Sequence, residues 1–338
     1  MEAVIIAGEG RGALKTPARG VRPTGGLPGR RRALIRLCRP ADRASIERLG
    51  HPPHVADILC PRPARRLAWR LLGTRAVPVL AEEEGTGAVV GSVQFVRSRR
   101  SPDTWMFGHW RVAAARRREG IGRRMLVEGM RLLPPQVARL YSYVDWDNDA
   151  SIAAHERLGF ESGRTLWGKA PLGVLTTVGP ATPALRLEPV GPRDWPVLFT
   201  IYTRAMGSLW LRLFPELDPR NFLGGTLGGL RAGVVAVARG QSGAAWSTLA
   251  PRAGTGTPDR SVAGFVLWEG EAVTVFADPA ACDHGFLARA ALQVMARGAR
   301  RDLEIGLRGL PRSLAARPGP IGLQVLMGMP DVMTRWQG

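Results

Sequence analysis

The sequence predicts an α/β (α+β) protein made of two tandem domains, each a mixed central sheet flanked by helices. Three observations predict it. Apolar spacing alternates between strand and helix periods across residues 33–172, giving the order β-α-α-β-β-β-α-β-α-β. The opening Ile35-Arg36-Leu37 to Pro40-Ala41-Asp42 is echoed by Leu185-Arg186-Leu187 to Pro192-Arg193-Asp194, with an amphipathic helix after each. Between the copies, Thr176 to Ala184 has the composition of a linker. The expected organisation is a basic, disordered tail over 1–32, a first domain over 33–175, the linker over 176–184 and a second domain over 185–338.

The elements follow in order. Residues 1–32 carry seven basic and two acidic residues, many glycines and little that could pack. Ala33 to Cys38 reads as a strand, and Pro40-Ala41-Asp42 opens a helix through Leu49 with Asp42 as N-cap. A second helical region spans Ala64 to Leu72. Val77 to Ala81 and Val89 to Arg97 form a hairpin around the acidic, glycine-bearing turn Glu82 to Gly87. Trp105 to Val112 is the next strand. Ile121, Met125, Leu126, Met130 and Leu133 recur at helical spacing until Pro134-Pro135 stops the helix. Leu140 to Val144 is a strand, Ser151 to Leu158 a helix closed by Gly159, and Phe160 to Lys169 is extended. In the second copy, Trp195 to Met206 is a helix. Val262 to Trp268 and Ala272 to Phe276 are strands, followed by the helix Phe286 to Arg297 and the strand Leu303 to Leu307.

Bulk composition narrows the function. The chain of 338 residues is 45% hydrophobic, enough for two cores, and has no apolar run of membrane-spanning length. Its only early apolar run, Ala3 to Ala7, is too short for a signal peptide. Cys38, Cys60 and Cys282 form no CxxC pair, which predicts neither disulfides nor zinc, and a cytoplasmic setting. The histidines show no metal-ligand spacing, so no metal is expected, and His51 and His54 flank two prolines as in a turn. The net charge of +19 suits an anionic partner. Lys15 and Lys169 are the only lysines, so the arginine excess looks like genome composition. Those arginines are scattered without an aromatic-interleaved stripe, which argues against nucleic acid as the principal ligand.

The most informative stretch runs from Val112 through Arg116-Arg117-Arg118-Glu119-Gly120-Ile121-Gly122-Arg123 into the helix. A basic glycine loop before a helix presents free N–H groups beside guanidinium charge, which suits a pyrophosphate. A second motif, Asn148-Asp149-Ala150-Ser151 through Leu158-Gly159-Phe160, follows 28 residues after Gly120. On these two motifs, residues 32 to 172 resemble the GNAT superfamily of N-acetyltransferases. Each domain is then expected to be GNAT-like.

The resemblance implies acetyl-CoA as cosubstrate and a primary amine as acceptor, either a small molecule or a protein N-terminus or lysine. It assigns coenzyme contacts to Val112, Ala114, Arg117, Arg118, Gly120, Ile121, Gly122, Arg123 and Asn148, and an oxyanion contact to a backbone N–H near Ala113 or Ala114. The catalytic positions depart from the family pattern. The usual base positions hold Met106 and Gly108. His109 is close, but alternation turns it to the other face unless a bulge intervenes; water or a carboxylate elsewhere, such as Asp145 or Asp147, could serve instead. His155 stands where the family has a tyrosine and could act as general acid.

The second copy has Ala277-Asp278-Pro279-Ala280-Ala281-Cys282-Asp283-His284-Gly285 where a phosphate loop would stand. One glycine, no arginine and two aspartates predict a degenerate domain, with Trp195, Trp210 and Trp268 as packing anchors. A helix containing Pro311 and Arg312 is expected after Leu307. The chain is thus expected to be a monomeric or homodimeric N-acetyltransferase with one active and one inactive domain. The alternatives are a non-catalytic coenzyme A-binding module and a charge-driven nucleic-acid or ribosome-associated protein.

Overall fold

A computed structural model describes residues 32–64, 75–98, 101–177, 186–189, 195–215, 246–251, 260–269, 272–279, 284–296, 298–312, 314 and 322–332. The basic tail up to residue 31, most of the helical region expected over 64–72, residues 178–185 of the linker and the Cys282–Asp283 stretch lie outside them. The chain divides into two compact units, Met1–Ala138 and Arg139–Gly338.

The first unit is an antiparallel sheet in the order β1-β2-β3-β4: β1 (Ala33–Leu37), β2 (Ala76–Glu83), β3 (Val89–Arg97) and β4 (Thr104–Val112). Two short helices follow β1: α1 (Arg43–Arg48) and α2 (Pro53–Leu59). Their buried Ile46, Val55, Ala56 and Leu59 pack with Leu80. Pro52-Pro53 was expected to be a plain turn. Instead Pro53 opens α2, since a helix's first residue needs no N–H and Pro fixes a suitable φ. Asp42 is not a simple N-cap. It ends a 3-10 turn, Pro40–Asp42, and its carboxylate accepts from Arg39 N at 2.6 Å and from the Arg36 guanidinium.

The cysteine expectation is corrected: Cys38 and Cys60 are joined in a disulfide across 22 residues. Spacing could not show it, because the pair meets only when the chain after β1 folds back through α2. The cysteines therefore give no support to a reducing compartment. Among the described residues no helix is long and apolar enough to cross a membrane.

Helix α3 (Ile121–Arg131) lies on the sheet. It buries Ile121, Met125 and Leu126, each contributing roughly 1.5–3 kcal/mol. Gly129 lets it approach closely, for a Cβ there would stand 2.5 Å from Phe95 Cε2. Phe95 and Phe107 meet at 6.1 Å and Phe107 and Trp110 at 6.0 Å. That packing fixes where the N-terminus of α3 points.

The second unit holds an eight-stranded run, β5-β12-β6-β11-β10-β9-β8-β7. These strands are β5 (Arg139–Asp145), β6 (Glu161–Pro171), β7 (Arg186–Pro189), β8 (Trp246–Pro251), β9 (Arg260–Glu269), β10 (Ala272–Ala277), β11 (Glu304–Leu310) and β12 (Gly322–Met329). Its helices are α4 (Asp149–Arg157), α5 (Leu172–Leu175), α6 (Trp195–Leu213) and α7 (His284–Met295). The chain repeats its own order: β9-β10-α7-β11 echoes β3-β4-α3-β5. The contacts divide after residue 138 rather than at the linker, because each copy's last strand pairs among strands of the other. β12 inserts antiparallel between β5 and β6, and β6 pairs with β11.

The stretch after Leu307 was expected to be helical. The strand β11 instead continues to Leu310, and the chain returns as β12, whose residues 323–329 are all buried. Helix α6 covers this sheet with Trp210, which sits 4.6 Å from Trp167 and 4.1 Å from Phe214. The side chains of Trp195 and Trp268 lie outside the described residues.

Candidate functional site

The basic glycine loop folds as a 3-10 turn, Ala114–Arg116, followed by an open N-terminus of α3. Gly120 is the N-cap, at φ 76° and ψ 1°, and no side chain caps the helix. A left-handed residue at this position favours glycine, and Arg118 also lies at φ 67°. A Cβ on Gly120 would meet nothing within 4 Å, so the space over the first turn is open. The first N–H groups of α3 therefore face that space with the positive end of the helix dipole behind them.

Gly122 has a different reason. A Cβ there would stand 3.1 Å from Trp110 Nε1 and 3.2 Å from its ring carbon Cζ2. Its absence lets α3 seat on the Trp110 ring, a packing role the sequence did not reveal. Ile121 is 4% exposed, so only its backbone is available to a ligand.

The arginines separate into two groups. Arg116 is a strut: it pairs with Glu83 and, at 2.9 Å, with Glu119. Arg124 donates to Ala33 O at 2.9 Å and faces Glu128. By contrast Arg117, Arg118 and Arg123 are exposed, and none makes an ion pair among the described residues. They put three fixed positive charges on residues that flank the open helix end in sequence. Arg117 Nε also donates to Val112 O at 3.3 Å, tying the loop to the end of β4. Val112 ends β4 opposite Gly91, and Ala113 N donates to Val90 O at 2.8 Å. Ala114 is exposed at the start of the turn.

Strand β4 carries the bulge on which His109 depended. Ser92 pairs with Arg111 and Gln94 with Gly108, so β4 has one residue more than β3 between those pairs. His109 absorbs it at φ 52°. The bulge breaks the alternation that would have turned His109 away.

Its ring lies 6.2 Å from that of His51, edge to face. His51 Nε2 donates to Ser92 Oγ at 2.7 Å, and Ser92 Oγ donates to His109 O at 3.2 Å, which assigns the His51 proton to Nε2. Ser92 thus clamps the bulge. Burial pushes the His109 imidazole below its ordinary pKa, and the nearby His54 adds to this. Burial, Arg111 and His109 push His51 down to about 4. Arg111 in turn donates to Gly50 O. His51 is the residue sequence reading passed over; the His51-Pro52-Pro53-His54 spacing carries no sign of the Ser92 contact across 41 residues.

In the second unit, Asn148 caps α4: its Oδ1 accepts from Ser151 N at 3.1 Å. The helix closes with Gly159 at φ 88°, Phe160 N bonding His155 O and Gly159 N bonding Glu156 O. His155 is 2% exposed. Its Nδ1 donates to Ser151 O at 2.7 Å, and its ring meets Phe160 at 5.5 Å. Burial outweighs the carbonyl contact and lowers its pKa to about 4. The ring is therefore neutral near pH 7, with its proton directed into the helix. Of the alternative bases, Asp145 accepts from Gln324 Nε2 at 3.1 Å. Met106 pairs with Val96 inside β4, and no group of three or more His, Cys, Asp or Glu among the described residues could hold a metal.

Residues 45–160 match the acetyltransferase (GNAT) family. No curated protein matches the chain. Among solved structures, the chain is similar to a GCN5-related N-acetyltransferase from Sphaerobacter thermophilus, with 17% identity, 90% of this chain and 96% of that one covered, and a TM-score of 0.41. A tandem GNAT protein from the clavulanic acid biosynthesis pathway shares 13% identity over 88% of this chain and 98% of its own, at a TM-score of 0.37. A putative acetyltransferase from Salmonella typhimurium, solved with acetyl-CoA, shares 24% identity over 39% of this chain and 82% of its own, at 0.30. All three TM-scores lie below 0.5, and the family match covers residues 45–160.

Proposed function

We propose that the chain, whose residues 45–160 match the acetyltransferase (GNAT) family, transfers acetyl from acetyl-CoA to a primary amine, with the donor anchored at the N-terminus of α3. One observation carries this reading. The helix end is capped by left-handed Gly120 without a competing side chain, opens onto free space and is flanked in sequence by the exposed Arg117, Arg118 and Arg123. A pyrophosphate there would accept from the first-turn N–H groups and meet fixed guanidinium charge. The family resemblance also assigns Asn148 a contact to the coenzyme.

The chemistry needs a base first, because an ammonium has no lone pair to attack with. His109 supplies it. A neutral imidazole with a depressed pKa is unprotonated at pH 7, and the bulge sets its ring off the regular strand alternation. The freed amine attacks the thioester carbonyl carbon, the carbonyl oxygen takes the negative charge, and an N–H near Ala113 or Ala114 would stabilise it. Collapse of that intermediate breaks the C–S bond. Of the two protons the ammonium sheds, one ends on the departing sulfur and one in solvent. His155 is not the proton donor in this scheme, since it is neutral and its one N–H is held by Ser151 O; it anchors α4 instead.

Thiol release from acetyl-CoA, measured over amines, peptides and aminoglycosides, tests the reading. Acceptor-dependent release that is lost on replacing His109 by Gln supports it. Tight acetyl-CoA binding with no release on any amine would favour a non-catalytic coenzyme module.

A further inference from the structure

The sequence that follows β10 carries no basic glycine loop, but the second unit has a cleft. A cavity of about 1020 Å³ lies wholly within the second unit. Asp278 and Pro279, which follow β10, and Pro311 and Arg312, which follow β11, line it. β10 and β11 are parallel, with the crossover helix α7 between them. The carboxyl ends of adjacent parallel strands are where open sheets form ligand crevices. Two bulges shape this end. Leu307 pairs with Gly168 but Leu310 with Leu166, which puts an extra residue in β11. Val325 pairs with Leu166 but Met327 with Ser162, which puts extra residues in β6. Helix α6 breaks at Gly207, φ 76° and ψ 157°, on the cavity wall.

The lining combines an apolar floor with a cationic rim. Trp167, Leu209 and Leu326 are buried in the floor. Arg164, Arg204, Arg212 and Arg312 stand against two carboxylates, Asp278 and Glu161. Arg212 is committed to Glu161 through both terminal nitrogens. Arg204 spends one N–H on Asp278 Oδ2 at 2.9 Å, and its side chain is 58% exposed. Arg312 uses Nη2 alone, on Ser162 Oγ and Gly163 O. Arg164 is exposed and makes no ion pair among the described residues. A guanidinium has five N–H donors, so Arg164, Arg204 and Arg312 keep donors for a ligand.

We propose that this cleft binds a carboxylate with an apolar body. The surplus planar donors match a carboxylate two-by-two, and the floor of Trp167, Leu209 and Leu326 accepts the apolar part. A nucleotide pyrophosphate does not suit it. Where the first copy offers glycine and free N–H groups, this one has a buried carboxylate at Asp278 and a proline without an N–H at Pro279. The proposal does not depend on acetyl transfer in the first unit.

Calorimetry on the full chain with acetate, butyrate, hexanoate and octanoate tests it, with inorganic phosphate as a second arm. Octanoate should bind at one per chain, and each added methylene should tighten binding by up to about fourfold. The double variant Arg164→Gln, Arg204→Gln should weaken octanoate at least tenfold, with a cooperative melting transition retained and unchanged acetyl-CoA affinity. The melting transition separates a lost site from a lost fold. Three results would overturn the proposal: no heat with millimolar octanoate, binding indifferent to the double variant, or phosphate binding as tightly as octanoate.

Discussion

Acidification should destabilise this protein through His155, and the size of the effect follows from its burial. The native ring is pushed down to about 4 by burial, against an unfolded value near 6.5. The unfolded chain therefore takes up a proton that the native state refuses. A histidine whose native pKa is depressed contributes its full stability above about 6.5 and loses it as pH falls toward about 4. Between about pH 8 and pH 5 the native state should lose roughly 2 kcal/mol on account of His155. His51, also near 4 and 8% exposed, should add a similar amount. Urea unfolding followed by tryptophan fluorescence at stepped pH measures the sum. His155→Leu removes the titrating group, together with the bond to Ser151 O. It should lower stability at about pH 8 yet reduce the loss between pH 8 and 5 by roughly 2 kcal/mol. A His155→Leu variant with the wild-type pH dependence would refute the buried, neutral ring, and with it the reason for denying His155 a role as proton donor.

Three other outcomes are expected. Gly159→Ala forces a side chain into φ 88° and should cost about 1–2 kcal/mol of stability while leaving acetyl-CoA affinity unchanged, because the residue only closes α4. Replacing Cys38 with Ser should cost about 3 kcal/mol by opening the 22-residue loop, and intact mass with and without reductant should show a two-hydrogen difference in the parent protein only. If His109 is the base, kcat/KM should rise with pH through an apparent pKa below 6.5 and then level, and His109→Gln should lose that limb along with about 100-fold of activity.

Local chemistry was the legible part of this chain. The amphipathic period placed α3 within two residues, and Gly159 marked the end of α4, because both signals act within one or two turns. The N-terminus of α3 was readable for the same reason. What escaped depends on distant partners. The Cys38–Cys60 pair, the His51–Ser92 bond and the Trp110 ring that requires Gly122 are contacts between different elements, which periodicity within one element does not register. The bulge at His109 was foreseeable only as a condition, since nothing in Gly108-His109-Trp110 fixes where the extra residue goes. β12 was missed because a strand buried on both faces shows no alternation, and a helix was expected after Leu307 in its place. The carboxyl-end cleft needed β10, β11, β6 and α6 together before its arginines could be seen on one rim.

The central claim is that one anion cradle, at Gly120, serves a chain that carries the strand-helix order twice. Calorimetric titration of the full chain with acetyl-CoA tests it most directly, run beside Gly120→Glu, which places a carboxylate in the open space over the helix end. The expected result is one acetyl-CoA per chain, with binding abolished in Gly120→Glu at an unchanged melting temperature. Two molecules bound per chain, or an affinity indifferent to Gly120→Glu, would contradict it.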